Sequence, residues 1–231
     1  MKKKREDKKK KENSKNFHDE KLRLIHTNII HHNINNRKVL FFLYLFYDFL
    51  LFDFLIFVNM EEQVVLVDEQ DNPLGLMPKM EAHEKAVLHR AFSVFIFNKK
   101  GELILQQRAA RKYHSPLLWT NTCCSHQRDG ETNLEAGKRR LQEEMGFVTE
   151  IKEVFSFIYK APFDNGLTEH ELDHVMIGYY EDKPNPNKDE VENYKWMTLI
   201  DVKNDIKKQP QAYTEWFKII FDKSFKKLKN A

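Results

Sequence analysis

The sequence predicts an α+β sandwich domain preceded by an N-terminal extension. After Met60, strand-like runs followed by a helical run occur twice. Before Met60 the composition differs, being lysine- and asparagine-rich at first and then apolar. The chain has 231 residues, of which 41% are hydrophobic and 18 are Phe, enough for a sizeable core. One domain of ordinary size with an extension fits this length.

The strands and helices of the globular region are predicted from local patterns. Alternating or continuous apolar runs indicate strands at residues 63–67, 91–97, 102–106, 118–122, 151–159 and 171–180. Turn residues mark 71–75 and 98–101, and the second turn predicts a hairpin. Helices are predicted at 134–145, capped by Thr132 or Asn133 and ended by Gly146, and at 212–228.

The first 59 residues form two zones. Residues 1–38 have almost no apolar periodicity, which predicts disorder. Residues 39–58 are long and apolar enough for a membrane helix, with Arg37 and Lys38 placing the N-terminus in the cytosol. Asp48 and Asp53 oppose this, since each costs ~3 kcal/mol near the membrane centre. Residues 39–59 are therefore either a membrane anchor or an extension that the functional protein lacks, and the functional domain is predicted at 60–231.

Charge and cysteine content exclude some classes of protein. The net charge of +3 is too small to indicate a dedicated nucleic-acid binder. The two cysteines are adjacent, which excludes a disulfide framework and favours a reducing compartment. A cytoplasmic protein is expected, or a membrane-tethered one if residues 39–58 insert.

Two pairs of reactive side chains occur at strand spacing. Cys124 and His126 are two residues apart, so in extended backbone they share a face and Cys123 points away. The carboxylates of Glu169 and Glu171 share a face for the same reason. Taken alone, the first pair is more simply explained as a core cysteine beside a surface histidine. The second pair is more simply explained as a solvated acidic turn.

Further residues extend these pairs into a candidate site. Three histidines and two glutamates make a plausible ligand set for zinc, manganese or iron: His83, His89, His126, Glu169 and Glu171. Glu143 and Glu144 are candidate Mg²⁺ ligands with substrate phosphates. Basic residues that flank the motifs suit phosphate oxygens, although a solvated face is their ordinary role: Lys79, Arg108, Arg111, Lys112, Arg139 and Arg140.

Four motifs together resemble the type 1 isopentenyl-diphosphate isomerases of the Nudix superfamily, over about residues 62–222. They are Leu88-His-Arg-Ala-Phe-Ser93, Trp119-Thr-Asn-Thr-Cys-Cys-Ser-His126, Arg139-Arg-Leu-Gln-Glu-Glu-Met-Gly146 and Glu169-His-Glu171. The resemblance implies a Nudix-like α/β/α sandwich with a mixed sheet. It also implies interconversion of isopentenyl and dimethylallyl diphosphate for isoprenoid and sterol biosynthesis, by a monomer acting on this small molecule.

The motif around Gly146 departs from a hydrolytic Nudix box. Glu131, Arg139, Glu143 and Glu144 match the box, whereas Ser125 replaces a glycine and Arg140 a glutamate. Hydrolytic members use that glutamate around the metal. The departure therefore favours isomerisation over hydrolysis. A Nudix hydrolase that acts on nucleotide diphosphates stays the first alternative. A non-enzymatic membrane-tethered protein and a zinc-structural or redox role for Cys123 and Cys124 are the others.

The resemblance assigns roles residue by residue. Cys124 and Glu171 are implied as the acid–base pair, with Tyr159 relaying a proton and Trp216 stabilising a carbocation-like intermediate. The implied diphosphate contacts are Lys79, Arg108, Lys112, Ser125 and Arg140. A divalent metal (Zn²⁺, Mn²⁺ or Mg²⁺) is implied at His83, His89, His126, Glu169 and Glu171, and Mg²⁺ with diphosphate at Glu144. Arg111 and Arg139 are expected to make surface or structural pairs.

Overall fold

The computed structural model describes residues 62–112, 114–163 and 166–228. The predictions made for residues 1–59 lie outside these ranges. The strands are β1 (Gln63–Val67), β2 (Pro73–Pro78), β3 (His89–Phe97), β4 (Glu102–Arg108), β5 (Trp119–Thr120), β6 (Cys123–Ser125), β7 (Ile151–Pro162), β8 (Thr168–Tyr179) and β9 (Val191–Thr198). The α-helices are α1 (Lys79–Lys85), α2 (Asn133–Arg140), α3 (Leu199–Lys208) and α4 (Glu215–Leu228).

Strand β3 is the centre of a mixed sheet. It runs parallel to β8 from His89↔Glu171 to Phe97↔Tyr179, and antiparallel to β6. β7 pairs with β8, β9 with β4 and β2 with β1, all antiparallel. The predicted hairpin exists, but its strands pair only at Phe97↔Leu103, so the sheet opens beyond the turn. β6 pairs with β3 in this region and brings the cysteine motif into the sheet.

The two faces of the sheet carry separate cores. Successive residues of a strand point to opposite faces. Phe95 and Phe97 of β3 therefore lie in the core that includes Phe217 of α4, while Val94 lies in the core that includes Met145 beyond α2. Helices thus cover both faces of a mixed sheet, and the predicted Nudix-like α/β/α sandwich is confirmed.

Helix α2 begins and ends at well-defined residues. Thr132, not Asn133, is its N-cap, and it forms a capping box with Glu135. Beyond Arg140 the helix widens into a π-helical turn, Leu141–Met145, which the sequence pattern did not distinguish from α-helix. Gly146 ends the helix at φ 72°, and a Cβ there would lie 2.0 Å from the Asn185 carbonyl oxygen.

The structure corrects several predicted elements. The turn placed at 71–75 is wrong, because β2 already begins at Pro73 and the chain turns at Glu69 and Gln70. A proline at the first position of an edge strand removes no ladder hydrogen bond. Within 118–122 only Trp119–Thr120 pairs as a strand. Helices α1 and α3 and strand β9 had no prediction. No described helix is long and apolar enough to cross a bilayer.

Candidate active site

Three histidines and one glutamate converge beside the N-terminal end of β3. We call His83, His89, His126 and Glu171 the His/Glu cluster; all four side chains are buried, and their possible ligand atoms lie within 4.8 Å of one another. From Glu171 Oε1 the distances to the Nε2 atoms of His126, His89 and His83 are 3.2, 3.5 and 4.0 Å. The cluster therefore unites side chains from four separate segments of the chain.

Strand pairing brings the cluster together. His89 is the first residue of β3 and lies opposite Glu171 of the parallel strand β8. Along β8 alternate residues face the same way, so Glu169 shares the face of Glu171. His170 points away, with its Nδ1 3.0 Å from the Ala86 carbonyl oxygen. The expected split of the Glu-His-Glu motif is thus present in the fold.

The cluster has the chemistry of a divalent metal site. Nδ1 of His89 lies 2.8 Å from the Val87 carbonyl oxygen, which can only accept, so the lone pair of His89 is on Nε2 and faces the cluster. Among the described residues, Nε2 of His83 and of His89 has no hydrogen-bond partner. Burial, aided by His126, lowers the pKa of His83 to about 3, and burial also lowers the pKa of His126. Three imidazoles and one carboxylate form a ligand set that fits Zn²⁺ or Mn²⁺.

Tyr159 joins the two glutamates of β8. Its hydroxyl oxygen lies 2.6 Å from Oε2 of Glu171 and 3.0 Å from Oε2 of Glu169. Burial raises the pKa of Glu169 well above its usual range, and the charge of Glu171 adds to this. Burial alone would raise the pKa of Glu171 too, but contacts with His126 and His89 outweigh it and hold that pKa well below its usual range. The pKa values of the two neighbouring carboxyl groups are thus shifted in opposite directions, and Glu169 is the one that more readily keeps its proton.

The two cysteines lie on opposite faces of β6, as predicted. Cys123 is fully buried in the core beside α2, and its thiol donates to Glu144 Oε1 at 3.3 Å. Cys124 lies next to the His/Glu cluster, where its Sγ accepts from the Ser93 hydroxyl at 3.5 Å. Burial raises the pKa of Cys124 well above its usual range, and Asp173 and Glu171 reinforce this, so the group is a neutral thiol.

A cavity of about 460 Å³ connects these groups. Its floor includes Cys124, Glu169, Glu171 and the ring of Trp216. Tyr159 is not part of the lining and lies behind the glutamates. Much of the remaining lining is charged, and it includes Lys79, Arg108, Lys112, Arg139, Arg140, Glu144 and Glu190, with Ser125 and His114. One cavity is thus lined both by the Cys124 thiol and the two glutamates and by several basic side chains.

Trp216 provides an aromatic wall at the floor of the cavity. It is 2% exposed, and Cζ of Arg108 lies 5.1 Å from its ring centroid. The ring of His114 meets it edge-on, at 5.4 Å between centroids. Burial, with Arg108 close by, lowers the pKa of His114 to about 3, so this ring is neutral. The indole therefore lies between a cation and a neutral ring.

The predicted phosphate-binding residues line the cavity, and each of the cations among them has a partner. Lys79 contacts Glu62 at 3.0 Å, Lys112 contacts Glu190, and Arg108 donates to the His114 carbonyl oxygen at 3.3 Å. Ser125 lies beside them, half-buried. These groups converge as the sequence indicated, although two of them are neutralised by acids.

Arg140 contacts three acidic side chains at this mouth. It donates to Glu143 at 2.8 Å, to Glu144 at 2.9 Å and to Glu190 at 3.2 Å. Glu144 is also held through its other oxygen by Gln106, at 2.7 Å. Of the six predicted metal ligands, the structure brings four into the His/Glu cluster. Glu169 lies beside it on Tyr159, and Glu144 lies apart with Arg140.

Arg111 and Arg139 make the pairs expected of them. Arg139 donates to Glu131 at 2.6 Å and to Glu143 at 3.1 Å, which ties the loop before α2 to the helix. Arg111 pairs with Asp189 at 2.5 Å, and both side chains are 65% exposed. Such an exposed pair adds little stability.

Four residues near the reacting groups had no predicted role. Gln106 orients Glu144, Ser93 contacts Cys124, and His114 meets Trp216. Asp173 is fully buried beside the Cys124 thiol. Only Asp173 left a signal in the sequence, because it continues the two-residue spacing of Glu169 and Glu171. The others come from strands and loops whose neighbours the sequence does not reveal.

Comparisons of the sequence with known proteins found a family match and close relatives. The chain matches the NUDIX domain over residues 87–217. It is 48% identical over 164 residues to Isopentenyl-diphosphate Delta-isomerase 2 of Aromatoleum aromaticum, covering 71% of this chain and 87% of that protein. The protein of the same name from Photorhabdus laumondii is 52% identical over 163 residues, covering 71% and 92%.

A solved structure supports the fold. The crystal structure of a Deinococcus radiodurans protein superposes with a TM-score of 0.57 at 21% identity, covering 69% of this chain and 97% of that one. The match at this identity concerns the fold alone. The NUDIX match and the two sequence relatives show that the chain belongs to the NUDIX family and, within it, to the isopentenyl-diphosphate Delta-isomerases.

Proposed function

We propose that the protein interconverts isopentenyl diphosphate and dimethylallyl diphosphate by transferring protons at two carbons of the five-carbon unit. One observation carries the proposal: a neutral thiol, Cys124, and a carboxylate, Glu171, line one buried cavity whose mouth is basic. Relatives named for this reaction, at 48 and 52% identity, support it. Those names say nothing of sterols, so the proposal extends only to isoprenoid precursors.

The reaction needs one acid and one base. A proton is added to the terminal methylene carbon of the alkene, and another is removed from the carbon beside the diphosphate-bearing carbon. The thiol of Cys124 and the carboxylate of Glu171 supply this pair, and they exchange roles when the reaction runs backwards. The Tyr159 hydroxyl, which touches both Glu171 and Glu169, relays the proton between the two carboxyl groups.

Protonation of the alkene leaves a cation at the tertiary carbon. The π-face of Trp216 stabilises it without offering a strong nucleophile. The indole is fixed in the wall of the cavity, so the stabilising charge distribution is present before the cation forms. Exclusion of water from this floor protects the cation from capture.

The diphosphate occupies the mouth of the cavity in this proposal. Lys79, Arg108, Lys112, Ser125 and Arg140 are its contacts. Acids now pair with several of these cations, and phosphate oxygens would replace Glu62 on Lys79 and Glu190 on Lys112. Exchange of one anion for another keeps each cation neutralised in both states.

Two divalent cations are assigned to the site. His83, His89, His126 and Glu171 would hold the first, with Glu169 beside it, and Glu144 would hold Mg²⁺ together with the diphosphate. When bound, these ions supply positive charge that stabilises the Glu171 carboxylate and the diphosphate. His89 is already oriented for this by its Nδ1 contact with the Val87 carbonyl oxygen.

We also propose that residues 60–231 are the functional unit and act as a cytoplasmic monomer. The substrate is a small molecule and no nucleic acid is involved. All the proposed site residues lie between Lys79 and Trp216. A membrane tether through 39–58 is the alternative, and it would change location without changing the chemistry.

A deuterium-exchange assay tests the function. The full chain and the 60–231 variant are incubated with isopentenyl diphosphate and Mg²⁺ in D₂O, and the products are analysed by NMR. Deuterated dimethylallyl diphosphate from both proteins is the expected result. Release of phosphate without allylic product would favour a Nudix hydrolase. Activity in the full chain alone would show that the first 59 residues are required.

A further inference from the structure

The Trp-Thr-Asn-Thr part of the cysteine motif has no role in the proposed chemistry, yet it forms a buried hydrogen-bond chain. The indole Nε1 of Trp216 donates to Thr120 Oγ1 at 3.0 Å, and the Thr214 hydroxyl donates to the same oxygen at 3.2 Å. Thr120 in turn donates to Asn121 Oδ1 at 2.9 Å. The four side chains are at most 2% exposed.

The chain continues to the backbone just before Cys124. Nδ2 of Asn121 donates to the Cys123 carbonyl oxygen at 2.6 Å and to the Val94 carbonyl oxygen at 3.3 Å. Val94 is the register partner of Cys123 across β3 and β6. Asn121 therefore fixes the position at which β6 delivers the Cys124 thiol to the cavity.

Only one assignment of donors and acceptors is possible for these hydrogen bonds. A threonine hydroxyl has one proton and two lone pairs. At Thr120 the proton goes to Asn121, and the lone pairs accept from Trp216 and Thr214. Because indole can only donate, the direction of the chain is set from Trp216 to the Cys123 carbonyl. The Thr120 hydroxyl is thus fully used.

Thr120 also locates the helix that carries the indole. Thr214 precedes the first residue of α4, and its Oγ1 accepts from the Phe217 backbone N–H at 3.4 Å, as an N-cap does. The Thr214 backbone N–H donates to the Trp119 carbonyl oxygen at 3.0 Å. One hydroxyl on β5 therefore contacts both the start of α4 and the indole.

We propose that Thr120 and Asn121 are positioning residues that set the Trp216 ring and the Cys124 thiol relative to each other. This inference rests on the proposed function, in which the Trp216 ring stabilises the cation and Cys124 transfers a proton. The Thr120 hydroxyl and the Asn121 amide would fix the distance between these two groups. Neither residue is part of the cavity lining. Loss of either residue should therefore lower kcat and leave KM nearly unchanged, because other residues at the mouth hold the diphosphate.

Two substitutions at Thr120 separate the hydrogen bonds from packing. Thr120→Val keeps the shape but leaves three buried polar groups without their partner, and Thr120→Ser restores the hydroxyl. In Thr120→Val we expect kcat to fall roughly tenfold or more, because small misplacements in an active site are costly, while KM stays within about twofold. Thr120→Ser is expected to recover most of kcat.

Thr122→Val is the matched control for lost stability. Thr122 is equally buried, and its hydroxyl makes two hydrogen bonds, from Ile96 N and to Ile104 O, both at 2.9 Å, against three at Thr120. It has no contact with Trp216. Loss of the Thr122 hydroxyl in Thr122→Val should lower the melting temperature much as Thr120→Val does. It should leave kcat within about twofold of the parent.

An NMR spectrum of ¹⁵N-labelled protein provides a readout that does not depend on turnover. The chain has three tryptophans, and the Trp216 indole resonance is identified by its absence in Trp216→Phe. Thr120→Val should shift that resonance and speed its exchange with solvent, whereas Thr120→Ser and Thr122→Val should not.

Three results would overturn the inference. The first is an unchanged indole signal in folded Thr120→Val, and the second is an unchanged kcat in that variant. The third is an equal loss of kcat in Thr122→Val. An inactive parent protein with the expected indole shifts would instead refute the proposed function and keep the hydrogen-bond chain.

Discussion

Two groups of side chains at the cavity differ in how their charges are balanced. In the acid–base centre (Cys124, Tyr159, Glu169 and Glu171), burial raises the pKa of every member except Glu171, whose pKa is held low by contacts with histidines, and hydrogen bonds link Tyr159 to both glutamates. In the charged turn (Arg139, Arg140, Glu143 and Glu144), every one of these side chains is tied to an opposite charge. Groups that exchange protons must be able to change their charge, whereas groups that hold an anion must keep theirs.

The replacement of a glutamate by Arg140 explains part of this difference. Arg140 fills the charged turn with a cation that holds Glu144 in place. Chemistry that depends on a dense group of carboxylates is disfavoured there. The proposed reacting groups instead come from β6 and β8, beside the His/Glu cluster.

The largest expected effect concerns the acid–base centre. Cys124→Ala should lower the isomerisation rate roughly 10²–10⁴-fold, since one partner of the proton transfer is lost. Its matched control is Cys123→Ala, which removes the neighbouring thiol on the opposite face and should stay within about tenfold of the parent. Steady-state kinetics measures both. Comparable losses in the two variants would contradict the division between the faces.

The second prediction concerns metal affinity. His89→Gln should weaken binding of Mn²⁺ or Zn²⁺ by more than about 100-fold, because even outer-shell substitutions cost up to that much. The matched control is His170→Gln, because the His170 side chain points away from the cluster and its substitution should leave the metal affinity unchanged. Calorimetric titration measures the affinity of both variants. Undiminished binding by His89→Gln would place the metal elsewhere.

The third prediction tests the proton relay. Tyr159→Phe removes the hydroxyl that joins Glu169 and Glu171, and loss of a hydrogen bond to a charged group should lower kcat roughly tenfold or more. Tyr213→Phe is the control, because its hydroxyl contacts Asp205 at 2.6 Å, outside the cavity lining. If both variants keep the parent kcat, Tyr159 is a packing residue.

The smallest expected effect is in the charged turn. Arg140→Ala should raise KM for isopentenyl diphosphate about tenfold and lower the free energy of unfolding by ~1–2 kcal/mol, because Glu144 loses its cation. Arg111→Ala removes only an exposed pair and should change the free energy of unfolding by less than about 0.5 kcal/mol. Steady-state kinetics measures KM, and urea unfolding measures the free energy of unfolding, for both variants. An unchanged KM in Arg140→Ala would remove it from the diphosphate contacts.

Local pattern was sufficient for much of the fold. Alternation in β7 and β8 and the apolar run of β3 predicted those strands, and the Thr132 and Gly146 signals bounded the central helix. β2 was missed because its proline and glycine are typical of turns. Helix α1, which carries His83, is only seven residues long and left no clear periodicity.

The sequence by itself determined which side chains share a face. Two-residue spacing is a property of extended backbone, so it separated Cys123 from Cys124 and aligned Glu169 with Glu171 before any fold was known. Motif order and spacing likewise determined the family.

Only the tertiary structure decided which faces meet. The parallel register of β3 and β8 set His89 against Glu171, and the pairing of β5 with the start of α4 set Trp216 above Thr120. These contacts join residues far apart in sequence, as His126 and Glu171 show at a separation of 45 residues. Spacing along the chain carries no information about such pairs, because they depend on how the whole sheet closes.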